Sequence, residues 1–254
     1  MLLLIGLGLD TKDISVRALE EIETSDVLML DPYTNIISDQ YIEYLEKSSK
    51  KKIIKLSRSD LEENVPMTIG QAKTKKIAIL VSGDPMIATT HQIIIDHAAN
   101  NSIPYKIIHS SSILTAAIGE SGLIPYKFGQ TTTIPFWTDK YKPISFLDTI
   151  YRNIECNYHT IVLLDYNYLK KEGLKLEAAL RQLMIAESER KTGCISQETK
   201  IFVLGDVGKE SQVIKYSKIS EMPKNEPLFE GKILTLIIPA KLAVSEEDHV
   251  SIFH

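Results

Sequence analysis

The sequence predicts an α/β protein of two domains, an N-terminal parallel sheet with helices on both faces followed by a C-terminal mixed sheet with helices. Three observations predict it. Short, continuously apolar runs alternate with helix-period segments through the first half, as in a parallel sheet buried on both faces. The second half contains a Thr-rich alternating segment and two apolar runs too close together to hold a crossover helix, so those strands pair antiparallel. The change of style falls at 122–128, which places the domains at 1–122 and 123–254.

In order, residues 2–7 form the first strand and end at glycine. Ile14, Ala18, Leu19 and Ile22 then recur at helical spacing. A second strand covers 27–30 and stops at Asp31-Pro32. Further strands are expected at 53–56, 77–81 and 105–108, and helices at 39–47, 68–74, 86–99 and 111–121. Beyond the boundary, 128–134, 161–164, 201–204, 212–216 and 233–238 read as strands, and 175–189 reads as a helix.

Composition narrows the function. The chain has 254 residues, 44% hydrophobic and 24% charged, so it can bury a core and is not disordered. Its net charge of −4 argues against a general nucleic-acid or anionic-membrane binder. The basic runs Lys50-Lys51-Lys52 and Lys73, Lys75, Lys76 read as solvated faces beside strands. Two cysteines outside any CxxC or Cys/His cluster fit a reducing, cytoplasmic setting, without a disulfide framework or zinc. The apolar start, 1–9, lacks a basic flank and a cleavage site, and reads as a buried strand rather than a leader. No apolar run approaches the roughly 18 residues of a membrane span. GxxxxGK[ST], GxSxG and HExxH patterns are absent, which removes P-loop, nucleophile-elbow and zinc-protease chemistry.

Four motifs leave strand ends. Gly6-Leu7-Gly8 allows a sharp turn and close ligand approach, but Thr11 stands where a dinucleotide fingerprint needs its third glycine. Asp31 partly mimics a ribose-binding acid. Ser82-Gly83-Asp84-Pro85 lies where open α/β sheets bind ligands, with Asp84 a ligand contact or a cap on the next helix. Ala88-Thr89-Thr90-His91 reads as the start of that helix. His109-Ser110-Ser111-Ser112-Ile113 offers hydroxyl caps, or backbone N–H groups for a carboxylate. No His–Asp dyad is evident along the chain.

Together these pieces resemble the diphthine synthase family, in the tetrapyrrole methylase-like class. The resemblance spans nearly the whole chain. It rests on Ile5-Gly6-Leu7-Gly8-Leu9, Asp31-Pro32-Tyr33-Thr34, and Gly83-Asp84-Pro85 leading into Ala88-Thr89-Thr90-His91. It continues through His109 with Ser112-Ile113, Gly122-Leu123, Tyr126-Lys127-Phe128-Gly129, His159-Thr160, Leu163-Leu164-Asp165, and Pro239 with Lys241-Leu242.

The resemblance implies a methyltransferase using S-adenosyl-L-methionine, with the cofactor between two α/β domains. It implies a homodimer and translation elongation factor 2 as substrate, in diphthamide biosynthesis. Residues matched to cofactor contacts are Leu9, Asp84, Ile87, Ser112, Ile113, Leu164, Val207 and Leu234; Tyr33 and Asp165, at strand ends, are the expected substrate-orienting residues. Several departures fall late in the chain. Tyr166-Asn167 replace Ile-Lys, and Gly205-Asp206 replace Ala-Arg, reversing a charge. Leu234 replaces a histidine, and Ala243 ends a segment that usually ends in histidine. Three alternatives share part of the pattern: a corrin-precursor methylase, a nucleotide-binding oxidoreductase, and a non-catalytic module retaining the pocket.

Overall fold

The computed structural model describes residues 1–33 and 37–253; Thr34 of the motif above lies outside them. The chain divides into two compact units, Met1–Ile113 and Leu114–His254.

The first unit is built on β1 (Leu2–Gly6), β2 (Val27–Asp31), β3 (Ile53–Lys55), β4 (Ile77–Val81) and β5 (Tyr105–Ile108). They form one sheet in the order β3-β2-β4-β1-β5, every pair parallel. Alternate residues of a strand face opposite sides, so the continuous apolar runs feed two cores. Leu3, Ile5, Leu28, Leu30, Ala78 and Leu80 face one side, where they meet Ala18, Ile22, Ile42 and Leu45. Those four come from the helices α1 (Val16–Thr24) and α2 (Asp39–Ser49). Leu2, Leu4, Ile77, Ile79 and Val81 face the other side. There they meet α3 (Arg58–Glu62), α4 (Val65–Ile69) and α5 (Gln92–Asn100) through Leu61, Val65, Ile69, Ile94, Ile95 and Ala98. Ser15, Ser38 and Ser57 cap the first three helices through their hydroxyls.

Two expected helices are displaced. Pro66 starts α4 early, at Val65, and residues from Gly70 to Lys73 tighten to a 3₁₀ turn, in place of a helix over 68–74. The helix expected over 86–99 begins only at Gln92. Side chains claim the backbone before it: Asp84 Oδ1 accepts from Met86 N at 2.9 Å and Thr89 Oγ1 donates to Pro85 O at 2.8 Å. Ala88 sits at φ +56°. Asp84 therefore holds a turn and does not cap a helix.

The second unit holds α6 (Ile113–Ser121), whose first residue closes unit one, then β6 (Thr132–Ile134), α7 (Ser145–Glu155) and β7 (Thr160–Leu164). A small antiparallel pair, β8 (Tyr166–Asn167) and β9 (Glu172–Gly173), leads to α8 (Leu176–Arg190). The chain continues through β10 (Lys200–Gly205), β11 (Val213–Lys218), β12 (Leu234–Ile238) and α9 (Val244–Val250). The sheet order is β11-β10-β12-β7-β6, antiparallel except for the parallel pair β6 and β7. Phe146, Leu147, Ile150, Leu180 and Leu183 cover it from α7 and α8. The strand expected over 128–134 is short. Phe128 makes only an isolated bridge to His159, and regular pairing starts at Thr132.

Candidate active site

In the first unit the strand order brings the ends of β4, β1 and β5 side by side. The carboxyl ends of parallel strands are where such sheets bind ligands, because the chain there turns away and leaves a crevice. Gly8 and Gly83 exchange backbone bonds across it, Gly83 N donating to Gly8 O at 2.8 Å and Gly8 N to Gly83 O at 3.3 Å. Gly8 lies at φ +81°, a conformation that L side chains resist. Leu9 N donates to Asp13 Oδ2 at 3.1 Å and to Ser111 Oγ at 3.2 Å. Ser111 Oγ in turn donates to Asp13 Oδ2 at 3.0 Å, so its hydroxyl ties the β1 loop to the β5 loop.

Asp84 joins the β4 and β5 loops. Besides Met86 N, its carboxylate accepts from Ser110 N at 3.1 Å and meets His109 Nδ1 at 2.8 Å, both through Oδ2. Asp84 is buried, whereas 68% of the His109 side chain is exposed. The fold thus assembles a His–Asp dyad that the sequence reading missed. The partners are 25 residues apart on different loops, and no local spacing signals them. Ser112 is buried just ahead of α6, while Leu9, Ile87 and Ile113 are half-buried. The five first-unit residues matched to cofactor contacts therefore lie on these three loops.

Asp31 is not poised for a ribose. Its carboxylate is buried, accepting from Tyr33 N at 2.7 Å and pairing with His91 Nε2 at 3.1 Å. His91 Nδ1 is held by Pro85 O at 2.8 Å. The Ala-Thr-Thr-His element thus braces the Asp84 turn from inside. Tyr33, half-buried, packs against the core on the Leu2 and Leu4 side.

In the second unit Leu164, Val207 and Leu234 are buried at one end of the mixed sheet, where Gly205 faces Leu234 and Leu163 faces Thr235. Asp165 accepts from Phe136 N at 3.0 Å and Tyr166 N at 2.8 Å, tying the β6 and β7 ends together. The charge-reversed Asp206 has a local account. It sits at φ +51° and pairs with Lys209 at 3.3 Å and Lys232 at 3.8 Å. Ser211 Oγ donates to it at 2.8 Å, and Ile233 N at 3.2 Å. Burial works against its charge, but the Ser211 bond, Lys209 and Ile233 N outweigh it and lower its pKa.

Within the Tyr126-Lys127-Phe128-Gly129 element Lys127 and Phe128 serve packing, whereas Tyr126 is exposed. Lys127 Nζ reaches Glu246 Oε2 at 2.7 Å, and Phe128 lies edge-on to His159. His159 is fully buried; its Nδ1 accepts from Ala240 N at 3.0 Å and its Nε2 faces Glu246 Oε1 at 2.9 Å. Ala243, where the departure removed a histidine, donates its backbone N–H to Glu246 Oε2 at 2.7 Å. Among the described residues no group of three or more His, Cys, Asp or Glu could hold a metal.

The family model of Tetrapyrrole (Corrin/Porphyrin) Methylases matches residues 1–223. A diphthine synthase from Methanothermobacter thermautotrophicus is 35% identical over 98% of this chain and 94% of its own. The chain belongs to the diphthine synthase family of tetrapyrrole methylases. It is a methyltransferase. A diphthine methyl ester synthase from Bos taurus is 35% identical, covering 87% of this chain and 84% of its own. A crystal structure of a diphthine synthase superposes at TM-score 0.87 with 31% identity, over 99% of this chain and 95% of that one. A structure from Entamoeba histolytica reaches 0.88 with 34% identity, over 100% and 98%.

The Ala-Thr-Thr-His and Tyr-Lys-Phe-Gly elements each contribute a residue that holds the fold. His91 and Lys127 spend their polar groups inside the fold. No helix among the described residues is long and apolar enough to cross a membrane.

Proposed function

We propose that the chain uses S-adenosyl-L-methionine to add three methyl groups to the α-amino group of the aminocarboxypropyl-histidine of translation elongation factor 2, in diphthamide biosynthesis. The carrying observation is the identity to diphthine synthases over nearly the whole length of both chains. We also place it in the cytoplasm, as a homodimer, on the family resemblance.

The residues at the strand ends fit the cofactor. Leu9, Ile87 and Ile113 offer half-buried aliphatic walls, and Ser112 a buried hydroxyl. A Cβ built on Gly83 meets nothing closer than 3.8 Å, which leaves room beside the backbone. Such a lining suits adenine and a thioether chain. For Leu164, Val207 and Leu234 of the second unit, the proposal rests on motif matching. The bound cofactor supplies an electrophilic methyl group on a sulfonium.

The protein's task is then alignment and exclusion of water. Alignment alone is worth about 7–11 kcal/mol. An α-amino group has a pKa of about 7.7–8.0, so roughly a tenth is already a neutral nucleophile at pH 7. Tyr33 and Asp165 are the proposed substrate-orienting residues; each Asp165 oxygen accepts one backbone bond and keeps a second lone pair.

The test is a mass spectrum of elongation factor 2 carrying aminocarboxypropyl-histidine, after incubation with the protein and S-adenosyl-L-methionine. Three methyl groups on that residue are expected. No gain would move the function to another acceptor. The bovine relative's name favours a second reading, in which a further methyl esterifies a carboxylate; a fourth methyl, lost on mild alkaline treatment, would select it.

A second expectation concerns Asp84. Removing its carboxylate in Asp84→Ala releases Met86 N, Ser110 N and His109 together. Affinity for S-adenosyl-L-methionine should fall at least about tenfold, roughly 1.4 kcal/mol, in titration calorimetry. Wild-type affinity would remove Asp84 from the cofactor site.

A further inference from the structure

The dyad of Asp84 and His109 has the build of a proton acceptor. We propose that His109 takes up the proton that the acceptor amine must lose before each methyl transfer. This rests on the function proposed above.

Three features carry it. The first is the tautomer. Asp84 accepts a backbone N–H on each oxygen, from Met86 and from Ser110, so it presents a carboxylate to the ring. His109 Nδ1, 2.8 Å from Oδ2, must then donate, which leaves the lone pair of the neutral ring on Nε2. Among the described residues Nε2 meets no hydrogen-bond partner. The second feature is exposure: the ring is 68% open while its carboxylate is 7% open. A buried anion behind an open imidazole holds the ring's orientation and stabilises the imidazolium once formed. The third is place. His109 is the first residue after β5, on the loop that carries Ser112 and Ile113, and its partner belongs to the Gly83-Asp84-Pro85 turn. The buried His91 is already bonded at both nitrogens.

The step balances. An N–H bond of the ammonium breaks, the proton passes to Nε2, and the electron pair stays on the amine nitrogen. That pair then forms the bond to the methyl carbon, while the carbon–sulfur electrons remain on sulfur. The imidazolium returns its proton to water through its open edge. Three such rounds end in a quaternary nitrogen with no proton left to lose.

The size of the effect is bounded by the amine itself. With about a tenth of the nucleophile already neutral at pH 7, the base can gain about tenfold. In His109→Ala, kcat/KM for elongation factor at pH 7 should fall about tenfold, and imidazole added to the buffer should restore it. Nitrogen NMR of the wild-type ring, without substrate, should find the neutral ring protonated at Nδ1. An undiminished rate in His109→Ala would overturn the proposal. So would a loss that imidazole does not restore, or a neutral ring protonated at Nε2. If the wild-type protein itself leaves the elongation factor unmethylated, the substrate reading fails; if it is active and His109→Ala matches it, only the role of His109 falls.

Discussion

Glu246→Ala should cost the second unit about 3–5 kcal/mol, the penalty for stripping one partner from a buried charge cluster. Glu246 and His159 are both buried, and four donors converge on this one carboxylate. Ile124 N at 2.8 Å and His159 Nε2 at 2.9 Å share Oε1. Lys127 Nζ and Ala243 N, both at 2.7 Å, share Oε2. Alanine would strand the His159 imidazole N–H away from water and leave the partly exposed Lys127 ammonium with Lys241 O alone, at 2.9 Å. Thermal unfolding should shift down by roughly 10 °C, since 1 kcal/mol moves a domain of this size by about 2–4 °C. A shift within one or two degrees would mean that the cluster contributes nothing net.

The same cluster sets an acid limit. Burial opposes the Glu246 charge, but the bonds from Ala243 N, Lys127, Ile124 N and His159 outweigh it and hold its pKa at about 2, below an ordinary 4.5. A carboxyl depressed in the folded state stabilises fully above its unfolded pKa. That stability is lost as pH falls from 4.5 towards 2. Burial also lowers the pKa of His159, against the pull of Glu246. The unfolded ring takes up a proton first, so stability starts to decline below about pH 6.5, the ordinary histidine value. Both signs agree: the protein should weaken steadily on acidification. Glu246→Gln should lose less between pH 4.5 and 2 than the wild type does, as read from unfolding midpoints across that range.

How far the sequence could be read depends on the range of the force involved. β4 and β5 are legible to the residue because apolar runs bounded by polar ones report burial directly. The mixed second sheet is legible from the tight spacing of β10 and β11. The start of α5 was not, because Asp84, Thr89 and His91 compete for the backbone that a helix would use. Nor was Asp31, whose burial against His91 depends on a contact between strand end and loop. Glu246 meets Lys127 across 119 residues and His159 across 87, separations that no window can span. Motif matching singled out the strand-end loops as a group. It could not tell which of their polar atoms are spent on holding the loops and which, like His109 Nε2, remain outward.

Gly8→Ala separates those two uses at the β1 loop, and cofactor affinity should drop at least about tenfold, roughly 1.4 kcal/mol. Two independent obstacles meet there. The backbone lies at φ +81°, and a residue held in a sparsely populated region costs about 1–3 kcal/mol. A Cβ would also stand 2.3 Å from the Cβ of Asp13, which cannot swing aside because its own backbone carbon lies at 3.3 Å. Asp13 must therefore move, and with it go the bonds to Leu9 N, Asp10 N and Ser111 Oγ that set the loop. Gly193→Ala is the matched control. It carries similar backbone strain, at φ +74°, but its Cβ would enter open space beyond the end of α8. Both variants should unfold somewhat earlier, and only Gly8→Ala should bind S-adenosyl-L-methionine weakly in titration calorimetry. Equal affinities would show that the β1 loop tolerates rebuilding, and would leave Asp84 and the β5 loop to hold the cofactor without it.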